Sequence, residues 1–120
     1  MPKHNINDFD QLYRCTCREQ AGATSPHRVK LVPVPAKCSR VLTHVTVENL
    51  THGYTKCRLG IHAGAKDHYL DELTSPLQNE LAVSRSDILL GEGDIFFAEL
   101  TDATCNDYLV LTAIGWESKL

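Results

Sequence analysis

The stretch Val41-Leu42-Thr43-His44-Val45-Thr46-Val47-Glu48 decides the class of this chain. Val41, Thr43, Val45 and Val47 fall on one strand face, and Leu42, His44, Thr46 and Glu48 on the other. That is the pattern of a half-buried antiparallel strand. Asn49 to Gly53 has turn chemistry. Tyr54 to His62 alternates again, with Thr55, Cys57, Leu59 and Ile61 opposite Tyr54, Lys56, Arg58 and His62. Two alternating runs around a short glycine-containing turn predict a β-hairpin.

Working toward the C-terminus, Asp87-Ile88-Leu89-Leu90 is a short apolar run and Gly91-Glu92-Gly93-Asp94 a tight turn. Ile95 to Leu100 is β-rich, Thr101 to Asp107 is a polar loop, and Tyr108 to Trp116 reads as a long final strand. Aromatic and β-branched residues make a helix there implausible. Working toward the N-terminus, Leu12 to Cys17 and Arg28 to Val34 read as strands. Pro33 and Pro35 confine the second to an edge or an extended arm. For residues 66–86 two readings stand. Ser75-Pro76 suits the start of a short helix, but the β surroundings favour extended structure. About seven or eight short strands, spaced near ten residues, predict an all-β antiparallel sandwich or jelly-roll-like barrel with an extended N-terminal region. The expected organisation is one domain over residues 1–120, with N-terminal strands and an arm over 1–39 and the core sandwich over 40–120.

Bulk properties agree. The 120 residues are 42% hydrophobic and 22% charged, which is globular rather than disordered composition. The net charge of −3 speaks against nucleic-acid binding through phosphate neutralisation. No apolar run is long enough to span a membrane. Met1-Pro2-Lys3-His4-Asn5 leads into no hydrophobic stretch, so no signal peptide is expected. The odd number of cysteines, 15, 17, 38, 57 and 105, then reads as reduced thiols rather than a disulfide framework.

Chemistry-bearing patterns are sparse. Cys15 and Cys17 share a strand face and offer one edge of a metal site, but no second pair accompanies them and the six histidines (4, 27, 44, 52, 62 and 68) lack ligand spacing. No nucleophile elbow, calcium loop or phosphate cradle is present. The acidic residues at 87, 92, 94, 102 and 107 suit turn capping. The expectation is no catalytic residue, no cofactor and no metal. The final strand raises a different question. Tyr108, Val110, Thr112, Ile114 and Trp116 form one face, and Leu109, Leu111, Ala113 and Gly115 the other. Both are largely apolar, as are both faces of Ile95 to Leu100 apart from Glu99. Something must cover the second face: the N-terminal arm, the 66–86 segment or another subunit.

The order of elements resembles small β-sandwich virion proteins and tail-fibre modules of tailed bacteriophages. The likeness is carried by the strand Leu42 to Asn49, the strand ending Gly60-Ile61-His62, and Tyr69-Leu70. It continues through the run Asp87 to Ile95 with its Gly93-Asp94 corner and the closing strand from Asp107 to Gly115, covering about residues 40–118. That resemblance implies a non-enzymatic role in the head, neck or tail of a virion assembled in a bacterial cytoplasm. The implied partners are further copies of the chain and capsid, portal, connector or tail proteins. Phe96, Phe97, Leu109, Val110, Leu111, Ile114 and Trp116 are the candidate core and contact residues. Val32, Pro33 and Val34 belong to the candidate arm, Arg28 to Ala36. The rival expectation is a small-ligand or carbohydrate-binding jelly roll that uses Tyr54, Tyr69, Tyr108 or Trp116 as a platform.

Overall fold

The computed structural model describes residues 11–84 and 87–119; His4 falls outside them. Its strands are β1 (Gln11–Gln20), β2 (His27–Lys30), β3 (Cys38–Asn49), β4 (Lys56–Ala63), β5 (Lys66–Thr74), β6 (Ala82–Ser84), β7 (Ile88–Leu90), β8 (Ile95–Thr101) and β9 (Tyr108–Lys119). All pairings are antiparallel. One sheet runs β1-β9-β3, with β6 and β7 sharing the far edge of β3, and the other runs β2-β8-β4-β5. The described residues contain no helix, and the two sheets form a sandwich. The two richest apolar runs occupy interior strands, β9 and β8, where both edges are hydrogen-bonded. Leu42, Val45, Val47, Leu109, Leu111 and Ala113 from one sheet bury against Val29, Cys57, Leu59, Phe96, Ala98 and Leu100 from the other. The 66–84 segment is extended, as its surroundings suggested: β5, a turn, then β6.

Three expectations change. The hairpin predicted between residues 41–48 and 54–62 does not form, because β3 and β4 belong to different sheets. Asn49 explains this. Its buried Oδ1 accepts from the Thr51 and His52 amides at 2.9 and 3.0 Å, and its Nδ2 donates to Asp107 at 2.8 Å. This closes a turn that lifts the chain from one layer to the other. The hairpin that does form joins β4 to β5 through Gly64 and Ala65. Both have positive φ, 60° and 63°, as a two-residue turn matched to strand twist requires.

The face assignment of β3 also shifts. The β3–β9 register slips between Leu42 and His44, so Thr43 is bulged. Leu42, Val45 and Val47 point inward, while Val41 turns outward with His44 and Thr46. Gly115 permits this close approach: a Cβ there would stand 1.9 Å from the Val41 carbonyl oxygen.

Finally, the candidate arm does not leave the body. Leu31 N donates to Phe96 O at 2.9 Å, Val34 N to Asp94 O at 3.1 Å, and Gly93 N to Val34 O at 3.0 Å. Val29, Leu31 and Val34 are buried, while Lys30, Val32, Pro33, Pro35 and Ala36 face solvent.

Candidate functional site: the outer face of the five-stranded sheet

The bulge and the register together build a feature on the solvent side of the β1-β9-β3 sheet. Leu12 of β1 lies opposite Trp116 of β9, Trp116 opposite Val41 of β3, and Val41 opposite Leu89 of β7. Four apolar side chains thus form one row across four strands. Leu12, Trp116 and Leu89 are 46%, 41% and 76% exposed, which makes the row open surface rather than core. Without the slip at Thr43, Val41 would share a face with Val45 and point inward.

Behind this row the same face turns polar. Ile114 sits between Arg14 and His44, Thr112 between Thr16 and Thr46, and Val110 between Arg18 and Glu48. The Thr16 and Thr112 hydroxyls lie 3.4 Å apart. Flanking long side chains are therefore what covers the second face of β9 at Val110, which is 8% exposed. Among the described residues, neither the 28–36 arm nor the 66–84 segment does so.

The other sheet covers its outer face over Phe97 with its own side chains. Phe97 is fully buried although it lies outside the core cluster. The Arg28 guanidinium stacks on its ring at 3.9 Å and Tyr69 meets it edge-on with centroids 5.6 Å apart. Gly60 leaves room for the ring, since a Cβ there would stand 2.7 Å from Phe97 Cζ. Arg28 also donates to Glu99 at 2.7 Å and to Asp67 at 3.0 Å, and Arg58 stacks on Tyr69 at 3.5 Å. The hydrogen bonds from Arg28, then from His62, hold the Asp67 carboxyl below the usual carboxylate range. Arg28, Asp67, Glu99 and His62 thus answer one another within the chain.

At one end of the sandwich, Asp107 is buried at 1% exposure and accepts from Asn49 Nδ2, His52 Nδ1 and the Thr104 amide at 2.8, 2.6 and 2.9 Å. Burial pushes its pKa up, but these three hydrogen bonds outweigh burial and the net shift is downward. The arrangement fastens the β3–β4 turn to the β8–β9 loop. At the open edge between β5 and β6, a cleft of about 220 Å³ has Cys57, Leu59, Leu73, Leu81, Ala82 and Val83 on its walls and Asp71, Glu72 and Glu80 around them. Burial pushes the Cys57 thiol up to about 11, which is unsuited to nucleophilic work near neutral pH. Cys15 and Cys17 Sγ lie 3.7 Å apart. Among the described residues, no group of three or more His, Cys, Asp or Glu side chains converges as metal ligands.

The residues singled out in the sequence distribute unevenly. Phe96, Leu109, Leu111 and Val34 are core of the single chain; Phe97 and Val110 are buried on the two outer faces. Ile114 is half-buried, and Trp116, Val32 and Pro33 are exposed. Of the four platform aromatics, Tyr54 is buried, Tyr69 is packed under Arg58, and Tyr108 and Trp116 stand eight positions apart on β9, about 26 Å at 3.3 Å per residue. They do not converge. Leu12, Val41 and Leu89 are the members of the row that sequence reasoning missed. Leu89 carries a readable signal, since Ile88 and Leu90 already fill the inward positions of so short a strand.

No protein-family model matches this chain, and no curated protein matches it significantly. Solved structures do. A chain of the acidic stable capsid structure of Helicobacter pylori bacteriophage KHP30 is similar with TM-score 0.63 and 15% identity, over 93% of this chain and 96% of that one. The family 32 CBM from C. perfringens NanJ in complex with galactose follows at TM-score 0.45 and 13% identity, over 86% and 93% of the two chains. A chain of infectious bursal disease virus Gt strain is similar at TM-score 0.43 and 10% identity, over 98% of this chain and 35% of that one. At such identities the likeness is one of fold.

Proposed function

We propose that this chain is a non-enzymatic structural component of a phage virion, assembling with copies of itself and with other virion proteins. The carrying observation is the exposed row Leu12–Trp116–Val41–Leu89, an apolar stripe crossing one sheet face. Covering it would contribute about 4 kcal/mol per copy, taking its three most exposed members at somewhat over 1 kcal/mol each for partial burial. The likeness to a phage capsid chain supports the virion setting, because it runs nearly end to end in both chains.

The test is co-expression with the structural genes that neighbour its own, followed by gradient purification of particles. The wild-type chain should be found in the particles at many copies each. Trp116→Asp or Leu89→Asp should be lost from them while the free protein keeps its β-type circular dichroism, because a charge buried at an interface without a partner is costly. Particles that form fully and lack the wild-type chain would overturn the proposal.

A further inference from the structure

Each sheet must end somewhere, and the four edges are unequal. β2 is four residues long, and β6 and β7 are three each. β5 is long, but it carries Lys66, Asp67, Asp71 and Glu72, and its register slips opposite Leu59 and Gly60, leaving Leu70 bulged. Short strands, charges and bulges are the devices that keep sheet edges from pairing. β1 is ten residues long and unbulged, and its charges, Arg14, Arg18 and Glu19, are the one such device it carries. Its register with β9 runs unbroken from Gln11 to Gln20, it contains neither proline nor lysine, and among the described residues no other strand bonds its far edge.

We infer that the free edge of β1 pairs antiparallel with β1 of a second copy, about a two-fold axis through Cys15, fusing two five-stranded sheets into one. The inference rests on the assembly reading and names the partner for one edge of it. Side-chain alternation restricts the axis, since residues facing each other across it must lie on the same face. An axis through Thr16 would set Arg14 against Arg18 of the partner subunit, twice. An axis through Arg14 would oppose two guanidinium groups directly. An axis through Cys17 avoids both clashes but pairs a shorter stretch. With the axis at Cys15, Gln11 through Glu19 pair in full: Leu12 meets Arg18 of the partner subunit, Arg14 meets the partner's Thr16, and Gln11 meets the partner's Glu19. No like charges face each other, and the exposed Leu12 gains the aliphatic stem of an arginine.

The test uses the full chain and reads self-association by sedimentation equilibrium. Leu12→Arg should weaken the dimer about tenfold, because it opposes Arg18 at two symmetric places. Leu12→Glu should leave the dimer as tight or tighter. Adding Arg18→Glu to Leu12→Arg should restore it. A dimer formed instead through the apolar sheet face would be weakened by both Leu12 variants and not rescued, which overturns the inference. In a background with Cys17, Cys38 and Cys105 changed to Ser, dibromobimane should bridge two copies through Cys15, and Cys15→Ser should abolish the bridge. Circular dichroism establishes that each variant is folded. A wild-type chain that stays monomeric at high concentration yet enters particles overturns the β1 pairing and leaves the assembly reading standing. A chain that dimerises as described yet is absent from particles does the reverse.

Discussion

Asp107 and Gly115 stand eight residues apart on the same stretch of chain and govern different things. Asp107 is a buried carboxylate satisfied by one amide, one imidazole and one backbone N–H. Its folded pKa lies below the ordinary value of about 3.9. The unfolded chain therefore binds the proton first, and stability from this site is complete above about pH 4 and is lost as pH falls through the folded value. Asp107→Asn should lower unfolding free energy by about 2 kcal/mol at pH 7, since a charge-assisted network loses its charge. It should also flatten the acid limb in urea titrations at pH 7 and 3.5, with part of the slope remaining from Asp67. A variant as stable as wild type at pH 7 would contradict the role given to this carboxylate. Gly115 acts by absence, through the space it leaves beside Val41. The bulge it admits was not legible in the sequence, because Val41 to Val47 alternates without interruption. The slip is a property of the pair of strands, and the partner lies some seventy residues away.

Strands as units were far more legible than their pairing. The runs at 41–48, 54–62, 95–100 and 108–116 all became strands, since period-two alternation and β-branched content are local signals. Which strand neighbours which depends on the connections. Asn49 looked like ordinary turn chemistry, and only its buried bond to Asp107 turns the connection into a passage between layers. The covered second face of β8 was equally unreadable, because Arg28, Tyr69 and Gly60 come from three separate elements. The exposed apolar row needed the register of four strands before it existed at all. One element carries a visible cost: Ala65 occupies the left-handed region in the β4–β5 turn. Ala65→Gly should stabilise the protein by about 0.5–1 kcal/mol, observed as a higher thermal midpoint, since glycine meets that φ without a Cβ penalty. An unchanged or lower midpoint would count against the turn geometry described.

For the molecule as a whole, nearly every pairing joins distant parts of the chain. β1 bonds only β9, and β2 bonds only β8; the β4–β5 hairpin is the single local pair among the described strands. Such a topology folds slowly for its size, because loops must close before contacts reward them. Refolding followed by Trp116 fluorescence should relax in milliseconds to seconds, and a microsecond phase accounting for the full amplitude would be inconsistent with this topology.

The placement of β9 at the centre of its sheet has a further consequence on the ribosome. β1 and β3 have no bond to one another and meet only through β9. Every nascent chain that has not yet delivered residues 108–119 therefore lacks the strand that joins β1 to β3, and of that sheet can form only the short β3–β6 and β3–β7 pairings. Completion of that sheet is deferred until the stretch has been translated. Polypeptides terminated early by a stalled or broken message cannot form the Leu12–Trp116–Val41–Leu89 row, which takes Trp116 from that strand.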